Sequence, residues 1–269
     1  MTSAVERPRY LIGLDIDGTT TTHEGELREP VREAVQAVRD AGHHVIIATG
    51  RTILGTLPIL DRLGITTGYA VCSNGAVTVR LDPGLEEGYE VLETITFDPA
   101  PVLNLLRRHV PTALVAVEEP GVGFKVSAPF PDGELDATEN VVPWEELLAR
   151  PVIRVTLREP SASPEQFLAL IERVGLHGVN YAVGWSAWLD INPEGVSKAS
   201  GLEPLRELLG VDPAHTVVIG DQRNDVEMFG WAARAVAMAN APDEVKAAAD
   251  ETTAHVDDDG LVPVLRSLL

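Results

Sequence analysis

At 269 residues the chain can form one large domain or two unequal ones, and 45% hydrophobic with 23% charged residues is the composition of a globular protein with a proper core, not of a disordered chain. A formal net charge of -20 argues against nucleic acid and against an anionic membrane surface as partners, so an anionic substrate would have to be attracted by a bound cation or by local basic side chains. The single cysteine, Cys72, excludes an internal disulfide framework, and with no signal-like start and no apolar run near about twenty residues a cytoplasmic location is expected.

In chain order, apolar strand-like runs and amphipathic helical stretches alternate from the start. Tyr10 to Asp15, His44 to Thr49 and Tyr69 to Ser73 read as strands, with helices at Pro30 to Ala41 and Leu54 to Leu63 between them. Continuous apolar strands separated by helices of this length predict a parallel sheet covered on both faces. The first helix has Pro30 in its first turn, Val31, Ala34, Val35 and Val38 at helical spacing, and Gly42 just past its end.

The pattern changes near Leu81-Asp82-Pro83-Gly84. Strands are expected at Val91 to Thr96, Leu114 to Glu118, Gly123 to Ser127 and Val152 to Leu157, and helices at Ala100 to His109 and Pro164 to Val174, with dense Pro and Gly punctuation. The first pattern then returns. Helices are expected at Ser197 to Leu209, Val226 to Trp231 and Pro242 to Ala248, and strands at His215 to Asp221, at Ala235 to Ala239 and around His255. The fold class this predicts is α/β: a Rossmann-like parallel-sheet core, residues 1–82 and 188–269, interrupted by a smaller α+β domain, residues 83–187.

Chemistry concentrates at the strand ends. Asp15-Ile16-Asp17-Gly18 closes the first apolar run with two carboxylates that a bend can bring to one point, where either a cation sits between them or one is held protonated. A second acidic strand end follows at Gly220-Asp221-Gln222-Arg223-Asn224-Asp225, and in a parallel sheet the carboxyl ends of the strands form the ligand crevice. Such an oxygen-rich set suits Mg²⁺. Between these motifs, Thr49-Gly50-Arg51 ends a buried strand with a hydroxyl and backbone N–H groups suited to a phosphate oxygen. Lys198 opens a helix, the electrostatically unfavourable end for a cation, which points to a carboxylate or phosphate partner.

In this order, Asp15-Ile16-Asp17-Gly18-Thr19, Thr49-Gly50-Arg51, Lys198 and Gly220 to Asp225 resemble the four motifs of the haloacid dehalogenase-like phosphohydrolases, specifically the Cof-type branch with a C2-type cap between the second and third motifs. Ser73-Asn74-Gly75-Ala76, Met238-Ala239-Asn240-Ala241 and Asp259-Gly260 add to the likeness. The resemblance implies Asp15 as nucleophile, Asp17 as general acid and base, and Thr49 and Lys198 on phosphoryl oxygens. It further implies Gly50, Arg51, Asn74 and Gly75 at the substrate, and Mg²⁺ held by Asp15, Asp17 through its carbonyl, and Asp221, supported by Asn224 or Asp225.

The activity implied is a Mg²⁺-dependent phosphomonoesterase for a small phosphorylated metabolite such as a sugar phosphate, working as a monomer or homodimer. The alternatives are a sugar phosphomutase, a dedicated trehalose-, sucrose- or mannosylglycerate-phosphate phosphatase, and, from another class, a non-catalytic ligand-binding module on the same fold. Lys125, Arg154 and Trp185 are candidate cap contacts, and His23 a candidate for the entrance.

Overall fold

The computed structural model describes residues 8–163, 166, 167, 169, 179–183 and 187–269, with 179–183 as backbone. Two sheets organise them. The first has eight strands: β1 (Leu11–Leu14), β2 (His44–Ala48), β3 (Gly68–Cys72), β4 (Val77–Leu81), β5 (Tyr89–Thr94), β12 (Thr216–Gly220), β13 (Arg234–Ala237) and β14 (Glu251–Thr252), in the order β14-β13-β12-β1-β2-β3-β4-β5. From β14 to β3 neighbouring strands are parallel, while β4 and β5 run on as antiparallel neighbours.

Successive β1 residues point to opposite faces. Ile12 and Leu14 pack with helices α1 (Glu29–Asp40) and α2 (Ile53–Arg62), and Leu11 packs on the other face with Leu202 and Leu205 of the helix Lys198–Leu208. Burial on both faces is why these strands read as unbroken apolar runs. Local signals fix the helix ends: Thr52 caps α2 by accepting from the Gly55 N–H, and Ser197 and Ser200 form a capping box before Lys198.

The second sheet has the order β10-β11-β9-β6-β7-β8, built from β6 (Leu114–Glu119), β7 (Gly123–Val126), β8 (Glu139–Val141), β9 (Val155–Arg158), β10 (Val179–Val183) and β11 (Trp188–Pro193). It is antiparallel except for the β7–β8 pair. Helices α3 (Ala100–His109) and α4 (Trp144–Leu147) contribute Leu103, Leu106 and Leu147 to a separate core with Val115, Leu157 and Leu189.

The α/β class with a parallel core sheet is as expected, but the expected boundaries need correction at both ends. The strand expected to open the insert pairs with β4 and lies in the first sheet, so the second sheet starts only after Thr94. At the other end Trp188–Pro193, assigned to the core from sequence, pairs with β9 and β10. The Asp82-Pro83-Gly84 cluster is therefore a hairpin turn within the first sheet. The strand expected around His255 is instead a short 3-10 turn, Val256–Asp258, after the two-residue β14. Most of the helix expected at Pro164 to Val174 lies outside the described residues.

Candidate active site

β1 lies between β12 and β2, with Leu14 level with Ile219 on one side and Ile47 on the other. The connections after these three strands therefore meet at one point. Asp15 extends the pairing by donating its N–H to the Ile219 carbonyl at 3.1 Å, and the chain then folds back through Gly18, at φ +81°. Glycine is needed there twice over, since a Cβ would also lie 2.3 Å from Asp221 Oδ2.

The helix that begins at Lys198, which we label α5, brings its first side chain beneath this point. Lys198 Nζ donates to Asp15 Oδ1 and Asp225 Oδ1, both at 2.6 Å, and none of its surface is exposed. Asp225 Oδ2 accepts the backbone N–H groups of Asp221 and Gln222, so both of its oxygens are engaged. Asp221 accepts from Thr19, Gln222 and Asn240.

Carboxylate oxygens of Asp15, Asp221 and Asp225 all lie within 4.8 Å of one another. Burial pushes the Asp15 carboxyl well above the ordinary carboxylate range; Lys198 opposes the push, and Asp225, Asp221 and Asp17 add to it. Burial and the Asp225 carboxylate likewise raise Asp221 to about 6, against the hydrogen bonds from Gln222 and Thr19. Burial works against the Lys198 ammonium, but Asp15 and Asp225 outweigh it and hold the amine above its usual range. Three buried carboxylates facing one ammonium leave the cluster short of positive charge. An all-oxygen donor set with that deficit fits a hard divalent cation.

Asp17 stands apart from this cluster. Its carboxylate, about half exposed, is gripped by Arg51, which donates Nε to Oδ2 at 2.8 Å and Nη2 to Oδ1 at 2.5 Å. The guanidinium is held above its normal range, mainly by that hydrogen bonding. Thr49 is buried and accepts the Arg51 N–H through its hydroxyl, while the Gly50 carbonyl accepts from Arg154.

Asp15, Asp17, Thr49, Gly50, Arg51, His23 and Asn224 all line one cavity of about 760 Å³ between the two sheets. Asn74 and Gly75, expected at the substrate, do not line it. The Asn74 amide is taken up by Asn192 and Asn224, and a Cβ on Gly75 would meet the Ser197 carbonyl oxygen at 2.0 Å. Gly75 thus seats the β3 turn against the start of α5, while Asn74 ties the turn to β11 and to the loop that carries Asn224. Asn224 donates to Asn74 at 2.9 Å and leaves its own Oδ1 without a hydrogen-bond partner.

Of the candidate cap contacts, Arg154 does reach the cavity, Lys125 pairs with Glu119 at 2.7 Å elsewhere, and Trp185 lies outside the described residues. The sequence reading missed the acids of the second-sheet wall. Asp136 accepts from the Thr52 N–H at 2.7 Å, Asp190 accepts from Thr156 at 2.7 Å, and Glu118 accepts from Ser73 at 2.7 Å while pairing with Arg154 at 2.8 Å. In sequence they are isolated acids in loops and strands, with no motif to mark them.

Carboxylates from adjacent parallel strand ends that could hold a metal ion, a buried lysine joining them and a hydroxyl and amide loop opposite make up a site of the phosphatase class. More particularly, the chain belongs to the haloacid dehalogenase-like hydrolase family, whose model matches residues 12–108 and 131–265. Among its relatives are a 5-amino-6-(5-phospho-D-ribitylamino)uracil phosphatase of Bacillus subtilis, 28% identical over 97% of this chain and 98% of the relative, and a pyridoxal phosphate phosphatase of Escherichia coli, 29% identical over 89% and 91%. A phosphoglycolate phosphatase of Natronomonas pharaonis is 29% identical over 94% and 95%. The fold is that of a solved HAD subclass IIB sugar phosphatase, with a TM-score of 0.82 at 22% identity over 97% of this chain and 100% of the other. A phosphatase from Bacteroides thetaiotaomicron aligns with a TM-score of 0.79 at 25% identity over 100% and 97%.

Proposed function

We propose that the chain is a Mg²⁺-dependent phosphomonoesterase that releases phosphate from a small phosphorylated metabolite through a phosphorylated Asp15. The observation that carries this reading is the position of Asp15, which faces the cavity while its carboxylate is tied through Lys198 to the acidic cluster behind it. The relatives' names support it, each being a phosphatase of a small metabolite ester.

In this reading an Asp15 oxygen attacks phosphorus and the ester P–O bond breaks, while Asp17 gives its proton to the departing oxygen. Asp17 then takes a proton from water, whose oxygen attacks the phosphorus of phosphorylated Asp15 and releases inorganic phosphate and the free carboxylate. For both steps Asp17 must exchange Arg51 for the reacting oxygen, which frees the guanidinium to meet a phosphoryl oxygen. Thr49 and the backbone amides after it contribute further donors, and Lys198 holds Asp15 in line. Asp15, the Asp17 carbonyl and Asp221 would hold Mg²⁺, with Asn224 in support, whereas Asp225 serves to fix Lys198 and the loop. The ion, when bound, neutralises the carboxylates and the charge that develops on the phosphoryl group.

We assign the second sheet the part of a cap that closes the cavity and contacts the organic part of the ester. A cytoplasmic setting and a monomeric or homodimeric state go with this reading; among the described residues no helix is long and apolar enough to cross a membrane.

The test is phosphate release from a panel of small phosphomonoesters in Mg²⁺ and in EDTA, beside Asp15→Asn. Release that needs Mg²⁺ and falls by about a thousandfold or more in the variant is the expected result. Turnover largely retained by a clean preparation of Asp15→Asn would remove Asp15 as the nucleophile.

A further inference from the structure

The two walls of the cavity differ in charge. On the second-sheet side the charged groups among the described lining residues are Glu134, Asp136, Asp190 and one cation, Arg154. That cation is already committed: its side chain is 6% exposed and is bound to Glu118, to Asp190 and to the Gly50 carbonyl. Arg51 is bound by Asp17 and, in the phosphatase reading, passes from it to the transferred phosphoryl group, while Lys198 is bound by Asp15 and Asp225. Arg62, the remaining arginine on the wall, is exposed and bonds the Gly25 carbonyl at the far end of α2, roughly 15 Å along the helix from Thr52.

One place beside the phosphate loop would otherwise welcome an anion, and the chain fills it with its own carboxylate. The N-terminus of α2, where Leu54 and Gly55 line the cavity, turns the positive end of its dipole toward it. Asp136 Oδ2 takes the Thr52 N–H at 2.7 Å and the Thr52 hydroxyl at 3.2 Å. Gly55 makes room for it, since a Cβ there would lie 2.1 Å from that oxygen.

Resting on the phosphatase reading above, we propose that this wall selects against esters whose organic part carries a second anion, and that Asp136 is the residue that enforces the choice. The accepted substrate is the phosphate of an uncharged, hydroxyl-bearing skeleton, an aldose or alditol. Its hydroxyls find acceptors in Asp136 and Asp190, and its carbon face meets the rings of Phe124 and Trp188. A carboxylate or second phosphate in the same place meets Asp136 and Asp190 and finds the helix terminus occupied, while Glu134 beside them is paired with Arg158 at 2.9 Å. The discrimination is thus built as repulsion of the wrong ligand as much as attraction of the right one.

The test measures kcat/KM of the full chain with Mg²⁺ for a hexose 6-phosphate and an alditol phosphate, against phosphoglycolate and a hexose bisphosphate. The neutral-skeleton esters should lead by about tenfold or more, as expected of a like charge at close range in a partly desolvated site. Asp136→Asn keeps an oxygen for Thr52 but removes the charge, so the lead should shrink through a gain on the anionic esters, which a merely structural defect would not produce. Anionic esters used as well as neutral ones by the wild type would overturn the proposal and leave the phosphatase reading standing. So would an unchanged ratio in an Asp136→Asn protein that melts like the wild type. Should that variant fail to fold, the wild-type ratio still decides. No release from any ester would instead remove the phosphatase reading, and this selection with it.

Discussion

Asp221 shows what it costs to bury a carboxylate among other carboxylates. Its carboxyl, raised to about 6 by burial and by Asp225, keeps a proton in the folded chain at pH values where the unfolded chain, near the ordinary 3.8, has lost it. Between about pH 4 and pH 6 the folded state therefore binds more protons, and the free energy of unfolding falls as pH rises. That contribution is present in full below pH 4 and is lost as pH rises through about 6. Asp221→Asn has no such charge to bury. Denaturant unfolding in EDTA at pH 4.5 and 7.5 should show the wild type losing ground to this variant as pH rises, and Mg²⁺ at pH 7.5 should raise wild-type stability by its binding free energy. A wild type that gains on the variant with rising pH would mean that the folded state favours the ionised carboxylate. Lys198, anomalous in sequence as a cation opening a helix, is explained in the same place: its partners are Asp15 and Asp225, and their field outweighs the helix dipole.

The turn after β3 does for the site what no single side chain could. Ser73 and Asn74 take positive φ values of 51° and 57°, and Gly75 follows at 100° with its α-carbon against the Ser197 carbonyl. That contact sets the start of α5, and so the height of Lys198 beneath Asp15. Gly75→Ala should cost about 1–3 kcal/mol through the strained φ and the displaced helix start, and should lower kcat more than it raises KM, because Lys198 moves while the cavity wall remains. Thermal unfolding and steady-state kinetics of the variant check both, and equal stability with equal kcat would show that the turn can yield. The elements that sequence made legible share a property with this turn: each is fixed by local chemistry. Buried strands ending in Asp15, Thr49 and Asp221, and helices with their own caps, stand within a residue or two of where periodicity puts them. What was not legible depended on pairing between distant segments. Nothing local tells Tyr89–Thr94 that its partner is β4 in the first sheet, or Trp188–Pro193 that its partners are β9 and β10. For the same reason the four motifs were readable while Asp136, which acts only by meeting Thr52 across the sheets, was not.

At the scale of the whole molecule, the second sheet is docked on the loops that carry the chemistry. Arg154 holds the Gly50 carbonyl, Asp136 the start of α2, Glu118 the Ser73 hydroxyl, and Asn192 the Ser73 carbonyl. The phosphate loop and the wall that would read the substrate are thereby one polar framework, largely shut off from water. Outside that framework the protein is a strong anion, with a net charge of -20. A phosphate ester approaches against this field, and the cations inside are already engaged by carboxylates, so there is little left over to act at long range. Added salt shortens the reach of the repulsion, from about 30 Å at 0.01 M to about 8 Å at 0.15 M. Raising NaCl across that range at saturating Mg²⁺ should therefore increase kcat/KM by about two- to fivefold, chiefly through KM, the reverse of an enzyme that steers its substrate in. A fall with salt would show that the bound cation and the arginines at the mouth govern the approach, and that the surface charge is too distant from the entrance to be felt.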